Sequence, residues 1–165
     1  MSASLVGSEM CKETDALEKV RDLYEQIGKK YICIADDSGI SIDILNSFPG
    51  VHTARWLDAD DHIKNLELLK KVGNTVKEKR KCHYTTVIAL KSKNFEETFE
   101  YVLSGVVSDV ARGENGFGFD EIFELSNGKT LAEISTKEKL KLSPRKEALD
   151  MANRYLICLL YTSPS

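Results

Sequence analysis

The sequence lacks several features that mark specialised classes of protein. Its four cysteines lie far apart and form no Cys-x-x-Cys pair: Cys11, Cys33, Cys82 and Cys158. This spacing favours neither a disulfide scaffold nor a zinc site, and we expect the protein to lie in a reducing compartment. No apolar run approaches the ~20 residues needed to span a bilayer, and no charged segment leads into an apolar one at the start. We therefore expect a cytoplasmic protein without a membrane partner.

Charge of one sign is not in excess either. The 165 residues include 23 Lys and Arg against 26 Asp and Glu, a formal net charge of −3. Proteins that bind nucleic acid through its phosphates are usually basic, so no nucleic-acid partner is expected. Hydrophobic residues make up 42% of the chain and charged residues 30%, which excludes a disordered or fibrous chain and predicts a folded domain.

Helical and strand patterns alternate along the chain. Apolar residues recurring on one face predict helices over 12–27, 60–72 and 144–157. Short apolar or β-branched runs predict strands over 31–35, 83–90, 94–107 and 122–125, and the segment 40–45 fits either a strand or a short helix. The strands over 83–90 and 94–107 are expected to pair antiparallel. This order predicts an α/β fold with a mixed central sheet flanked by helices.

Two adjacent acids, Asp36 and Asp37, follow the apolar run that ends at Ala35. At the carboxyl end of a strand they would lie where open α/β sheets bind ligands. Carboxylates there commonly hold Mg²⁺ together with substrate phosphates, and one of them can orient or deprotonate a water. A helix cap or a turn explains the same residues equally well. On its own, the acid pair leaves a metal site and a turn as equal alternatives.

A glycine-rich segment, Gly113–Asp120, reads GENGFGFD. Its glycines allow positive φ and close approach of a ligand, and its two phenylalanines offer flat faces for a base. The spacing is neither GxGxxG nor a Walker A loop. A hairpin with core aromatic residues accounts for the segment at least as well, and on the residues alone it is the favoured interpretation.

Cations cluster between Lys137 and Arg145, just before the last predicted helix. Such a cluster can bind phosphates, with Arg forming bidentate contacts, although a run of charges is usually only solvated. The three histidines, His52, His62 and His83, have no metal-ligand spacing and are expected to be ordinary surface or core residues.

Four motifs occur in one order: ADDSG from Ala35, FPGVHTARW from Phe48, GFGFDEIF from Gly116 and AEISTKEKLKLSPRKEAL from Ala132. Together they resemble the inosine triphosphate pyrophosphatase, or Ham1-like, family over about residues 9–157. The resemblance implies a two-lobed α/β subunit that hydrolyses purine nucleoside triphosphates such as ITP, dITP and XTP to the monophosphate and pyrophosphate. It also implies a divalent metal, normally Mg²⁺, and a homodimer. The alternative is a nucleotide-binding relative that keeps the fold and has lost turnover.

The resemblance also assigns roles to individual residues. Asp37 matches the family's metal-binding catalytic acid, and Glu9 its other metal-binding carboxylate. The remaining matches are all expected to contact the nucleotide, namely Ser38, Phe117, Gly118, Phe119, Asp120, Lys139 and Arg145. Of these, the segment from Phe117 to Asp120 is expected to line the base pocket.

The chain departs from the family pattern in three places. The family's first strand and its T/S-x-N-x-x-K phosphate loop have no match, so the domain is expected to be incomplete at its N-terminus and weak or inactive as it stands. Pro144 replaces a histidine next to Arg145, which puts discrimination for 6-keto purines in doubt. Residues 158–165 resemble the translation of a sequencing adaptor, so the domain is expected to end at residue 157.

Overall fold

Four α-helices and five strands follow one another in the computed structural model, which describes the backbone of residues 6–162 and the side chains of residues 12–161. In chain order they are α1 (Val6–Gln26), β1 (Cys33–Ile42), β2 (Phe48–Pro49), α2 (Asp61–Val72), β3 (Lys81–Lys91), β4 (Glu96–Val107), β5 (Phe123–Glu124), α3 (Thr136–Leu142) and α4 (Pro144–Thr162). The predicted α/β class is confirmed. The last helix continues beyond its predicted end at residue 157, and α3 was not predicted as a helix.

The strands form one sheet in the order β2-β1-β3-β4-β5. β1 pairs antiparallel with β2, and β4 pairs antiparallel with β5. A four-residue connection joins β3 to β4, and in it the Ser92 N–H donates to the Phe95 carbonyl. So short a connection permits only an antiparallel pair, as predicted for these two strands. The sheet is thus antiparallel in these pairings, where a mixed sheet was expected.

β1 is longer than the sequence pattern predicted. The predicted strand ended at Ala35, but β1 runs through both acids to Ile42. The Ser38 hydroxyl lies 2.8 Å from that of Thr86 in the neighbouring β3, so the sheet continues past the acids. Asp36 and Asp37 therefore lie within a strand and not at its carboxyl end, which corrects the placement predicted for them. The segment 40–45, which fitted either a strand or a short helix, contains both. Its first residues complete β1, and Asp43–Leu45 is a 3-10 helix.

The chain divides into two compact units, in agreement with the expected two lobes. The first unit holds the described residues up to Ser38, Thr86–Tyr101, and the described residues from Pro144 onward. The second holds Gly39–Thr85 and Val102–Ser143. None of the helices within the described residues combines the length and apolar composition that crossing a bilayer requires.

In the first unit, helices cover both faces of the strands. α1 presents Ala16, Val20 and Tyr24, at a spacing of four residues, to a cluster that includes Cys33, Val87 and Ala89. The alternate residues of β3, Ile88 and Leu90, pack against Ala148 and Ala152 of α4. Successive side chains of a strand point to opposite faces, so this alternation places α1 and α4 on opposite sides of β3.

In the second unit, α2 and the segment after β4 close over the strands. The core is formed by buried apolar side chains, among them Ile40, Ile42, Leu68, Val72, Cys82, Phe119, Ile122, Phe123 and Leu131. α2 begins at the predicted position, because the Asp60 side chain accepts a hydrogen bond from the Ile63 N–H at 2.8 Å. It ends at Gly73, whose φ of +59° favours glycine.

Candidate functional site

Both carboxylates of the acid pair in β1 are bound by cations within the first unit. Asp37 Oδ1 accepts a hydrogen bond from Lys19 Nζ of α1 at 2.6 Å, and the same ammonium donates to the Asp36 carbonyl at 3.2 Å. Asp36 Oδ2 accepts from Arg145 Nε at 3.0 Å and lies 2.9 Å from its Nη2. The structure therefore brings the predicted residues Asp36, Asp37 and Arg145 together, and adds Lys19.

Asp37 is the better shielded of the two acids. Its side chain is 16% exposed, against 43% for that of Asp36. Attraction between charges is stronger where water is excluded, so Asp37 suits a bound cation better than Asp36 does. The Lys19 ammonium already takes up that position in part.

A metal ion fits this position by the chemistry of its donors. Among the side chains of residues 12–161, no group of three or more His, Cys, Asp and Glu is arranged to hold a metal. Mg²⁺, however, commonly takes only one or two carboxylates and completes its shell with water and substrate phosphates. The second predicted ligand, Glu9, lies in α1, and its side chain is outside the described residues.

Ser38 and Pro144 also lie in the first unit. The Ser38 hydroxyl is engaged with that of Thr86, as noted above. Pro144 is buried and begins α4, a position where its missing N–H costs no helical hydrogen bond. Arg145 follows it and keeps its side chain 53% exposed.

In the second unit, the glycine-rich segment Gly113–Asp120 forms a loop between β4 and β5. Asp120, which is 7% exposed, accepts a hydrogen bond from the Phe117 N–H at 3.0 Å and forms an ion pair with Lys139. Lys139 Nζ also lies 5.2 Å from the centre of the Phe117 ring, within the range of a cation–π contact. Phe117, Asp120 and Lys139 thus form one cluster.

α3 positions Lys139 in this cluster. Ser135 and Glu138 form a capping box that starts the helix, with Glu138 accepting from the Ser135 N–H at 2.9 Å. The first part of the predicted cation cluster therefore lies on a helix, α3, which places Lys139 next to Asp120.

The two phenylalanines of the loop have different environments. Phe117 is 66% exposed, whereas Phe119 is 7% exposed and belongs to the hydrophobic core of the unit. The prediction treated the two rings alike, and the structure separates them. The Phe117 ring lies at the surface, and Phe119 anchors the loop in the core.

A pocket of about 140 Å³ lies beside this loop, within the second unit. It is lined by Asp61, Glu114, Asn115, Gly116, Phe117, Gly118, Glu121 and Ala132. Ligand sites usually measure ~300–1,000 Å³, so this pocket can take only part of a ligand. Three of its lining residues are carboxylic acids, which repel phosphate and accept hydrogen bonds from neutral donors.

Glycine is required at position 116 by the cluster next to the pocket. Gly116 has a φ of +128°, which side-chain-bearing residues rarely adopt. A Cβ atom there would approach both the Asp120 carboxylate and the Lys139 ammonium more closely than 3 Å. The absence of a side chain therefore lets the ion pair sit directly against the loop backbone.

α2 supplies residues of this site that the sequence analysis missed. Asp61 Oδ2 accepts from the Gly118 N–H at 2.7 Å, and Asn65 Nδ2 donates to the Gly118 carbonyl at 2.9 Å. Glu121 Oε2 accepts from Asn65 at 3.2 Å and lies 2.8 Å from His62 Nδ1. A signal was present, since Asn65 shares the buried stripe of Leu68 and Val72, where an amide needs specific partners.

The chain is similar in sequence to proteins of one family. The model of the Ham1 family matches residues 9–155 of the chain. A protein of a Thermoanaerobacter species named dITP/XTP pyrophosphatase is 40% identical over 148 residues, which are 88% of this chain and 74% of that protein. A protein of the same name from Symbiobacterium thermophilum is 37% identical over 90% of this chain and 75% of its own length.

Solved structures show the same likeness. The Ham1 protein of Staphylococcus aureus superimposes with a TM-score of 0.82 at 30% identity, covering 93% of this chain and 79% of its own. The nucleoside-triphosphatase, or dITP/XTP pyrophosphatase, of Mycobacterium abscessus gives a TM-score of 0.76 at 34% identity over 86% and 73% of the two chains.

Proposed function

The chain belongs to the Ham1 family, and on that basis we propose that it hydrolyses purine nucleoside triphosphates such as ITP, dITP and XTP to the monophosphate and pyrophosphate. The observation that carries the proposal is the 40% identity, over 88% of the chain, to a protein named dITP/XTP pyrophosphatase. A relative that binds nucleotides without turning them over is not favoured by this finding.

In the first unit, Asp37 is proposed as the catalytic carboxylate. With Glu9 it would hold Mg²⁺, which when bound supplies positive charge to the phosphates and lowers the pKa of a coordinated water. The Asp37 carboxylate orients the attacking water through its oxygens, and the Lys19 ammonium fixes the orientation of that carboxylate. Ser38 and Arg145 are proposed nucleotide contacts next to it.

In the second unit, the exposed ring of Phe117 is proposed to stack on the base. Asp120 and Lys139 beside it offer a hydrogen-bond acceptor and a donor. A 6-keto purine presents the complementary pair, a carbonyl acceptor at position 6 and an N–H donor at position 1. Adenine presents the reverse pair, so this arrangement favours ITP, dITP and XTP over ATP. Gly118 and Phe119 hold the loop that carries these contacts.

The reaction proposed for these residues is one hydrolytic step. Water adds to the α-phosphorus, and the bond between that phosphorus and the oxygen bridging it to the β-phosphate breaks. One proton of the water is released as the monophosphate forms. Charge develops on the departing pyrophosphate, and cationic groups stabilise it. The proposal further includes a homodimer in the cytoplasm, which light scattering on the purified chain and fractionation of cells test directly.

The deciding experiment measures pyrophosphate release from dITP, XTP, ITP and ATP, each with and without Mg²⁺. We expect slow release from the first three substrates that depends on Mg²⁺, with kcat/KM at least about tenfold higher than for ATP. Binding of dITP, measured by calorimetry, without any release of pyrophosphate would establish the non-hydrolytic alternative. Release of single phosphates would contradict the proposed bond cleavage.

A further inference from the structure

α2 holds the glycine-rich loop by two hydrogen bonds at Gly118. Its N–H donates to Asp61 Oδ2 at 2.7 Å and its carbonyl accepts from Asn65 Nδ2 at 2.9 Å. Asp61 and Asn65 are four residues apart and therefore lie on the same face of α2. Both polar groups of a single residue are thus bound by side chains of one helix turn.

The loop needs such restraint because its own packing supplies little near Phe117. Gly113, Gly116 and Gly118 all have positive φ, and glycine loses more conformational freedom on folding than any other residue. The Phe117 ring, at 66% exposure, is not fixed by the core. Its N–H is held by Asp120, a residue that in the proposed function also engages the ligand.

α2 itself is well fixed. Leu68 is fully buried and Val72 is 4% exposed, and both belong to the core of the second unit. Asn65 is also fully buried, on the same stripe as these two residues. Since Asn65 is inaccessible to a ligand, any effect it has on ligand binding passes through the groups it contacts.

We propose that Asp61 and Asn65 are positioning residues for nucleotide binding, which hold Gly118 so that the Phe117 ring stays presented beside the pocket. This proposal rests on the proposed function, because it assigns these residues to the same ligand. Asn65 acts through the Gly118 carbonyl and through Glu121, and Asp61 acts through the Gly118 N–H. Neither residue takes part in bond cleavage.

The test compares the variants Asn65→Leu, Asp61→Ala and Asp61→Asn with the unchanged chain. Asn65→Leu removes the donor at similar size, and Asp61→Ala removes the acceptor at an exposed position where folding is not at risk. We expect KM for dITP to rise about tenfold in both, with kcat changed much less, because ground-state positioning is lost. Asp61→Asn keeps an acceptor oxygen and should restore KM to near its original value.

Val72→Ala provides the matched control for a general loss of stability. It truncates another buried residue of the same helix without touching Gly118. If Val72→Ala raises KM as much as Asn65→Leu at an equal drop in Tm, stability accounts for the effect and the proposal is overturned. Unchanged KM in Asn65→Leu and Asp61→Ala, or no recovery in Asp61→Asn, also overturns it.

A second readout separates this proposal from the proposed function. Amide hydrogen exchange at Gly118, followed by NMR without any ligand, reports the loop directly. If the unchanged chain releases no pyrophosphate, the proposed function fails, and exchange decides the positioning role. Faster exchange in Asn65→Leu and Asp61→Ala but not in Val72→Ala supports that role, and equal exchange in all of them refutes it.

Discussion

Replacing Gly116 by alanine should separate the Asp120–Lys139 ion pair from the loop without removing either charged residue. The added Cβ would come closer than 3 Å to both partners. One of these contacts is with the end of the flexible Lys139 side chain, which can move away. The other is with Asp120, which is 7% exposed and also holds the Phe117 N–H, so the loop itself must shift.

Two contributions determine the size of the effect. Alanine at a φ of +128° is strained, which should lower the free energy of unfolding by about 1–3 kcal/mol. Displacing Lys139 removes a charged contact to the proposed ligand, worth about 1.5–3 kcal/mol, so kcat/KM for dITP should fall roughly tenfold to a hundredfold.

Gly128→Ala is the matched control for backbone strain. Gly128 has a φ of +81°, but a Cβ there would meet nothing within 4 Å. It should cost about 1–2 kcal/mol of stability and leave kcat/KM unchanged. Urea denaturation and steady-state pyrophosphate release on both variants make the comparison. If Gly116→Ala keeps kcat/KM within twofold of the unchanged chain, or if Gly128→Ala loses as much, the reasoning about the ion pair is refuted.

Four further substitutions test the other parts of the molecule. Asp37→Asn should lower pyrophosphate release on the order of 10²-fold or more, since it removes a carboxylate proposed to bind metal and water, and near-normal turnover would remove it from the site. Hydrogen bonds from Arg21, and then Lys91, lower the pKa of Glu96 to about 2. The resulting stabilisation is present above about pH 4.5 and is lost as the pH falls towards 2. Glu96→Gln should therefore cost about 1–2 kcal/mol at pH 7, after screening of this partly exposed pair, and only a small part of that near pH 2, as measured by denaturation at both pH values. Phe117→Ala should raise KM with unchanged Tm, whereas Phe119→Ala should destabilise the chain by about 3–5 kcal/mol, and the reverse outcome would contradict the assignment of the two rings.

The elements that local patterns specify were predictable from the sequence. α2 was predicted to within a residue, because apolar spacing, an Asp cap and a terminal glycine agree there. The predicted β1 ended too early since Asp-Asp-Ser-Gly resembles a turn, and pairing with neighbouring strands keeps this segment extended. α3 was missed although Ser135 and Glu138 show the capping-box spacing, because its charges resembled a solvated run.

Residues of the candidate site could be predicted only where they lie within the motifs that resemble the family. The resemblance grouped Phe117, Asp120 and Lys139, which the fold does bring together. Lys19 had no local signal, since its partner Asp37 is 18 residues away and belongs to a different element. The difference in burial between Phe117 and Phe119 could not be predicted from the sequence, because tertiary packing decides which of the two rings enters the core.

The hydrogen bonds between α2 and the backbone of the loop have a consequence for protein engineering. Its two contacts are made to main-chain atoms of Gly118, so they are indifferent to the side chains at Glu114, Asn115 and Phe117 on the pocket wall. Those three positions can therefore be substituted while the loop backbone stays attached to α2. A library randomised at them should stay folded in most of its members, and ligand preference can be selected there while the scaffold remains the same.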